Sequence, residues 1–307
     1  MERNSSRFPG VSSLEGENGC LAFTYTESDR KNFCPGATAT KSVFCFDNRI
    51  IHIGTGISNN SQYPTETTIY QLRLEDKDAE VDINEDYSGT FPYSYRHTED
   101  SPVVLTDING NSYLIKNGRS LVVEKKHQSS PSDTKKKTGE GDFVTAYIDH
   151  GSSPSGASYE YMMLVKPSGK EVGKFSKKLP YTVLKADNDA HVVKDEITGI
   201  TTYISYRGYS SDKTGVAEIQ PETIVMERDR GDGTVVMSVC TPDLGITKKG
   251  YTTSQPSQPL TKEIKLNEKY VLVGENDAVK AEDSEKGTKL SVSCINGQPV
   301  EFIIKKS

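Results

Sequence analysis

The chain has 307 residues, 34% of them hydrophobic, and a formal charge of −6 at pH 7. That is enough apolar material for packed cores, which excludes wholesale disorder, and the acidic balance argues against a broad nucleic-acid surface. No window approaches 18 consecutive apolar residues, which excludes a transmembrane helix, and Met1-Glu2-Arg3-Asn4-Ser5-Ser6 lacks the apolar run of a secretory signal.

Strand signals dominate in chain order. Apolar and β-branched runs fall at 21–26, 42–46, 50–55, 67–74, 103–106, 112–115, 121–124, 143–148 and 159–165. They resume at 181–184, 191–193, 201–206, 223–227, 235–239, 270–273, 289–293 and 300–304. None holds a 3.6 period, and most are four to eight residues long, which predicts short strands. Asn109-Gly110, Asn117-Gly118, Asp232-Gly233 and Asn296-Gly297 sit between or before such runs, as tight hairpin turns do, because those residues accept positive φ. The expected fold is all-β, with antiparallel sheets that cover one another. Two segments read as connections. Residues 128–142, with Ser129-Ser130-Pro131-Ser132 and Lys135-Lys136-Lys137, read as an exposed loop. Residues 166–180, with Pro167, Gly169, Gly173 and Pro180 among lysines, read as a domain boundary that has room for a short helix.

Five cysteines, at 20, 34, 45, 240 and 294, include no C-x-x-C pair, so a zinc ribbon is disfavoured and buried free thiols are expected. The acids Asp76, Asp78, Glu80 and Asp82 alternate with period two. A calcium loop starting at Asp76 needs glycine where Val81 stands, so a solvated strand face is the favoured reading. Tyr93-Ser94-Tyr95-Arg96-His97 holds the residue types of an eliminase, but neighbours on extended chain point to opposite sides, and Pro92 with Glu99-Asp100-Ser101-Pro102 marks a loop. Asp149-His150-Gly151 has no G-x-S-x-G elbow to supply a nucleophile and reads as a strand-end turn. His52 reads as a packed sheet residue, and His127 and His191 have no matching partners. The three lysines at 135–137 read as solvated, though an acidic polymer is the alternative. Sixteen tyrosines include candidate platforms for sugar rings, weakened by the absence of tryptophan. These residues leave open a carbohydrate-binding or scaffold sandwich and a fragment of a larger enzyme.

Several stretches together carry a more specific signal. They are Ser12-Ser13-Leu14-Glu15-Gly16 and the run Lys41-Ser42-Val43-Phe44-Cys45-Phe46-Asp47-Asn48-Arg49-Ile50-Ile51-His52-Ile53-Gly54. Glu66-Thr67-Thr68, Gln71, Asn109-Gly110-Asn111, Tyr113-Leu114-Ile115 and Ile148-Asp149-His150-Gly151 follow. Ala157-Ser158-Tyr159-Glu160-Tyr161-Met162 and Val239-Cys240-Thr241-Pro242-Asp243-Leu244 complete the set. In this order and spacing they resemble the C-terminal β portion of the polysaccharide lyases that cleave chondroitin sulfate, dermatan sulfate and hyaluronan.

The resemblance implies an antiparallel supersandwich, incomplete at its N-terminus, over residues 1–172 and a smaller C-terminal β-sandwich over 173–307. It implies a parent enzyme that removes the C5 proton of a uronic acid and eliminates the glycosidic oxygen, without a cofactor or metal. In such enzymes asparagine and arginine neutralise the carboxylate, histidine and tyrosine move the proton, and an acid orients them. By the same alignment those groups belong to an N-terminal α/α toroid and to a segment preceding Met1. No residue here is therefore expected to be catalytic: Glu15, Glu66 and His150 receive no such role, and substrate-binding residues stay unassigned. The expected partners are a glycosaminoglycan and the toroid, with neither nucleic acid nor membrane, and the expected location is periplasmic or extracellular. An autonomous glycan-binding module is the alternative.

Overall fold

A computed structural model describes residues 8–27, 34, 36–131, 138–246 and 255–307. The first strands are β1 (Gly10–Leu14), β2 (Asn18–Thr26), β3 (Thr38–Phe46), β4 (Arg49–Ser58) and β5 (Pro64–Arg73). Short strands β6 (Val81–Ile83), β7 (Asp86–Ser88), β8 (Tyr93–Arg96), β9 (Val103–Thr106) and β10 (Ser112–Ile115) follow. Three longer ones, β11 (Leu121–Pro131), β12 (Thr138–Ser152) and β13 (Ala157–Leu164), precede helix α1 (Gly169–Phe175). Next come β14 (Tyr181–Ala186), β15 (Ala190–Asp195), β16 (Ile200–Ser205), β17 (Tyr209–Ser210), β18 (Val216–Ile219) and β19 (Thr223–Asp229). The last are β20 (Thr234–Cys240), β21 (Leu260–Leu266), β22 (Tyr270–Leu272), β23 (Val279–Asp283), β24 (Thr288–Cys294) and β25 (Val300–Lys306).

These strands form four antiparallel sheets. A nine-stranded sheet runs β1-β2-β3-β4-β13-β10-β9-β6-β7, and a four-stranded one runs β5-β12-β11-β8. A seven-stranded sheet runs β14-β15-β16-β19-β20-β25-β22, and a five-stranded one runs β17-β18-β21-β24-β23. Three cores show how they stack. One lies between the four- and nine-stranded sheets, around Tyr70, Leu105, Tyr113, Val123 and Val144. The second joins the nine- and seven-stranded sheets, around Phe44, Ile51, Met162, Ile204 and Met226. The third joins the seven- and five-stranded sheets, around Tyr203, Met237, Ile264 and Leu290.

Where the layers overlap, the two middle sheets are thus buried on both faces, which is why strands such as β10 and β16 read as continuous apolar runs. All six residues of β16 are buried, with Ile200 and Ile204 serving one core and Tyr203 the other. In β10, Leu114 faces one core while Tyr113 and Ile115 face the other. Helix α1 begins at a capping box: Ser168 Oγ accepts from Glu171 N, and Glu171 Oε2 accepts from Ser168 N at 2.9 Å.

The nine- and seven-stranded sheets are also locked by buried polar contacts. Arg49 on β4 donates to both carboxylate oxygens of Asp195 on β15, at 3.2 and 2.9 Å. Asp195 Oδ2 also accepts from Thr198 N and Oγ1, so its buried charge is fully engaged. His191 on β15 sits between Ser42 on β3 (Nδ1–Oγ, 2.7 Å) and Thr55 on β4 (Nε2–Oγ1, 3.0 Å). Two hydroxyls that each donate or accept suit the neutral ring, which has one donor and one acceptor. Tyr206 donates to Lys41 O at 2.9 Å from the same side.

Several sequence expectations change. Asn109-Gly110 and Asp232-Gly233 do close hairpins, β9–β10 and β19–β20. Asn117-Gly118 and Asn296-Gly297 do not: β10 and β11, like β24 and β25, lie in different sheets. Gly118 answers to space rather than to a hairpin, since a Cβ there would stand 2.3 Å from Val103 Cγ2. Residues 128–142 are not simply a loop, because β11 and β12 pair from Leu121↔Ile148 out to Pro131↔Thr138. The lysines at 135–137 fall outside the described residues. Tyr93–Arg96 is strand β8, paired with β11, not a loop. The acids of 76–80 precede β6 in turns rather than sharing a strand face. There Lys125, buried on β11, donates to Ala79 O and Gly89 O at 2.8 and 3.1 Å and organises the segment. All five cysteines are free thiols; Cys20, Cys240 and Cys294 are buried.

Burial pushes the His191 ring down to about 4 from the ordinary 6.5. Between those values the unfolded chain binds more protons than the folded one, so stability falls as pH drops from 6.5 toward 4. The full effect for this group is about 3 kcal/mol. His52, also pushed to about 4 by burial, acts in the same window. His191→Gln is expected to flatten, not abolish, the loss between pH 7 and pH 5, read from urea midpoints at the two pH values.

Candidate functional site

A cleft of about 450 Å³ opens where β4, the end of β12, the start of β13 and the β10–β11 connection meet Ala186 of β14. Gly54, Lys116, Arg119, Asp149, His150 and Tyr159 are among its walls. Its floor follows from register. Lys41 on β3 pairs with Gly54 on β4, and Gly54 pairs with Tyr159 on β13, so the three share one face of the nine-stranded sheet. Tyr159 lies across Gly54, where a Cβ would stand 2.1 Å from its ring. Lys41 Nζ is 5.9 Å from the Tyr159 ring centroid. Burial lowers the Lys41 pKa. Burial likewise lowers that of His150, with Lys41 adding to the effect and Asp149 opposing it.

The carboxylates of the cleft are already committed. Asp149 accepts from Gly151 N at 2.9 Å and from Arg96 Nη2 at 3.0 Å; the Gly151 bond is the largest influence holding its pKa below the usual range. Glu160 accepts from Tyr181 OH at 3.1 Å. His150 Nε2 meets Thr67 Oγ1 at 2.8 Å, so Asp149 and His150 are directed to separate partners rather than to a shared nucleophile. His150 and Tyr159 are near neighbours, with ring centroids 6.5 Å apart.

The triplet Tyr95, Arg96 and His97 is split by the pleat of β8 and the residue after it. Tyr95 OH and His97 Nδ1 are 2.8 Å apart, and His97 Nε2 meets Ser101 Oγ at 2.9 Å. Arg96, between them, turns to Asp149. None of the three is among the cleft walls; Arg96 reaches the cleft only through its pairing with Asp149. Among the other histidines, His52 stacks on Tyr161 at 4.5 Å between centroids, and His127 pairs with Asp142 on the outer hairpin. His191 is a sheet-to-sheet lock. Among the described residues no three His, Cys, Asp or Glu side chains gather as metal ligands.

Lys41 and Tyr159 stand within stretches that carry the resemblance, but sequence reasoning gave neither of them, nor Lys116 or Arg119, a place in a site. The available signal was alternation: Ser42, Phe44 and Phe46 point inward, which puts Lys41, Val43 and Cys45 on the opposite face. That Lys41 meets Tyr159 depends on long-range register.

The description "polysaccharide lyase family 8, super-sandwich domain" matches residues 1–176. A chondroitin sulfate ABC endolyase of Proteus vulgaris is 32% identical over 309 residues, covering 98% of this chain and 30% of that protein. A chondroitin sulfate ABC exolyase of Bacteroides thetaiotaomicron is 32% identical over 249 residues, covering 80% and 23%. Among solved structures, a Paenibacillus xanthan lyase superposes with a TM-score of 0.80 at 18% identity, over 98% of this chain and 29% of the other. A chondroitin AC lyase of Streptomyces coelicolor A3 gives 0.73 at 18%, over 98% and 36%. At such identities the superpositions speak to fold alone. The chain spans less than a third of the length of these two curated relatives.

Filling the space under the Tyr159 ring tests the cleft floor. Gly54→Ala is expected to cost about 1–3 kcal/mol, since the ring or β4 has to shift. Urea unfolding of the variant measures it.

Proposed function

The chain belongs to polysaccharide lyase family 8, and we propose that it is the non-catalytic β portion of a glycosaminoglycan lyase. In this reading the parent cleaves chondroitin or dermatan sulfate, or hyaluronan, by β-elimination at uronic acid C5. Residues 1–172 form part of its supersandwich and 173–307 its C-terminal sandwich, and together they back a helical toroid and one side of the substrate cleft. A polymer too large and charged to cross a bilayer places the parent's work in the periplasm or outside the cell. Among the described residues no helix is long and apolar enough to span a membrane.

One observation carries the reading. On the nine-stranded sheet a single cross-strand row runs Val11, Leu21, Val43, His52 and Tyr161. Tyr161 lies in the core beneath the four-stranded sheet, but no residue of β1–β4 belongs to that core. The same face therefore passes from buried to open. Val11 is 58% exposed and Leu21 42%, with Phe23, Cys45 and Ile50 half-buried beside them. An apolar sheet face of this extent is what a further layer of a longer protein would cover.

The proposal predicts that the purified chain, given chondroitin sulfate or hyaluronan, forms no unsaturated uronate by ultraviolet absorbance; turnover would refute it. It also predicts that Val11→Ser with Leu21→Ser lowers binding of an apolar dye while changing stability by no more than about 0.5 kcal/mol. A large loss would mean the face is already packed.

A further inference from the structure

Helix α1 and the segment after it lie against β9 and β10 and leave a groove unlike the rest of this acidic chain. A cavity of about 340 Å³ opens there, walled by Pro102, Val104, Leu114, Phe175 and Leu179, and its charged walls among the described residues are Lys116 and Lys177 alone. Val104 and Leu114 turn to the core that holds Phe175, whereas the open row from Val11 to Tyr161 lies on the opposite face of the sheet, so the groove is separate from that row. Lys116 stands between this groove and the cleft at the strand ends. Lys166, Lys170, Lys174, Lys177 and Lys178 are all exposed in and beside α1, and neither they nor Lys116 form an ion pair among the described residues. The acids nearby are mostly engaged. Glu171 accepts from Ser168 N and Oγ at 2.9 and 2.8 Å, and Asp100 accepts from Arg119 at 3.1 Å, which leaves Glu85, exposed next to Asn84. The polar walls are turned to the chain itself: Asn84 Oδ1 accepts from Val104 N at 2.8 Å, and Ser176 Oγ donates to Gly173 O at 3.3 Å. What faces a ligand is an aliphatic trough with a cationic rim.

We propose that this groove docks an acidic segment of a partner protein, which inserts an apolar side chain between α1 and β9–β10 while its flanking aspartates or glutamates meet Lys116, Lys177 and the lysines of α1. Charge complementarity names the partner's sign, and the apolar walls name its anchor. A chain of net charge −6 repels an acidic partner elsewhere, so the unpaired lysines also select this one place for the encounter. Lysine suits the rim because its apolar stem lies along the trough while its ammonium stays in water. A sugar ring fits less well. It needs hydroxyl partners and an open aromatic plane, whereas the polar walls are engaged and the Phe175 ring is only 5% exposed. The docking surface stands independently of the lyase-portion reading.

Fluorescence anisotropy of a labelled short peptide, with leucine and phenylalanine set among glutamates, tests this when the full chain is titrated in. The comparison probes are the same peptide with serine at both apolar positions, a sulfated chondroitin hexasaccharide and vesicles containing phosphatidylglycerol. The apolar acidic peptide is expected to bind with sub-millimolar Kd, weakening as salt rises, and the serine peptide about tenfold more weakly. Lys177→Glu, on an exposed side chain, is expected to raise Kd about tenfold, and Leu179→Asn to do the same with the fold checked by circular dichroism. Lys213→Gln, exposed in the β17–β18 connection, leaves Kd unchanged. The proposal falls if the serine peptide binds equally well or if Lys177→Glu has no effect. It also falls if the hexasaccharide or the vesicles bind more tightly than the peptide and lose that binding in Lys177→Glu, a result that assigns the lysines to a polysaccharide or a lipid surface. None of these results bears on the product assay, so this failure is distinct from failure of the lyase-portion reading.

Discussion

The structure depends on one constraint: with four sheets stacked, the two inner ones are covered on both faces wherever the layers overlap. There their side chains enter a core, and a buried polar atom left without a partner inside the protein is costly. The nine- and seven-stranded sheets meet this with Arg49–Asp195 and with His191 between Ser42 and Thr55. Each of those groups is costly to bury alone and nearly cost-free when matched. Apolar faces by themselves tolerate sliding, whereas a bidentate ion pair and a two-sided imidazole contact accept only one alignment.

The same stacking accounts for the two surface features that bear on function. The outer four-stranded sheet is narrower than the nine-stranded sheet it covers, so the apolar face continues past its edge as the open row from His52 to Val11. Where the layers end together, the strand ends and the β10–β11 connection make a polar recess instead. One surface is apolar and the other polar. The chemistry of the exposed residues separates them, not their location.

Much of the architecture was readable from the sequence because short strands with period-two or continuous apolar runs have few alternatives. The all-β class, room for a short helix within 166–180 and the free thiols follow from local patterns. What escaped was decided by distant partners. Asn117-Gly118 reads as a hairpin because glycine's tolerance of positive φ is a local property, while the reason for Gly118 is the methyl of Val103 packed against it. Lys125, one residue past the apolar run at 121–124, carries no local sign of burial, yet it is buried because two carbonyls of the 79–89 segment replace its water. The cleft was invisible for the same reason: Lys41, Gly54 and Tyr159 come from three strands, and only the register β3–β4–β13 brings them together.

That register ties the interior to the surface. Ser42 and Thr55, which grip His191, are the immediate neighbours of Lys41 and Gly54 on their strands, so each pair alternates between the inner face and the cleft face. A slip of one residue along β3 or β4 would expose the hydroxyls, bury Lys41 in the core and remove the space beneath Tyr159. The buried histidine therefore helps fix which side chains of β3 and β4 face each side of the sheet. A sheet that shifts by one residue exchanges its two faces, so the interior contact and the surface of the nine-stranded sheet are set together.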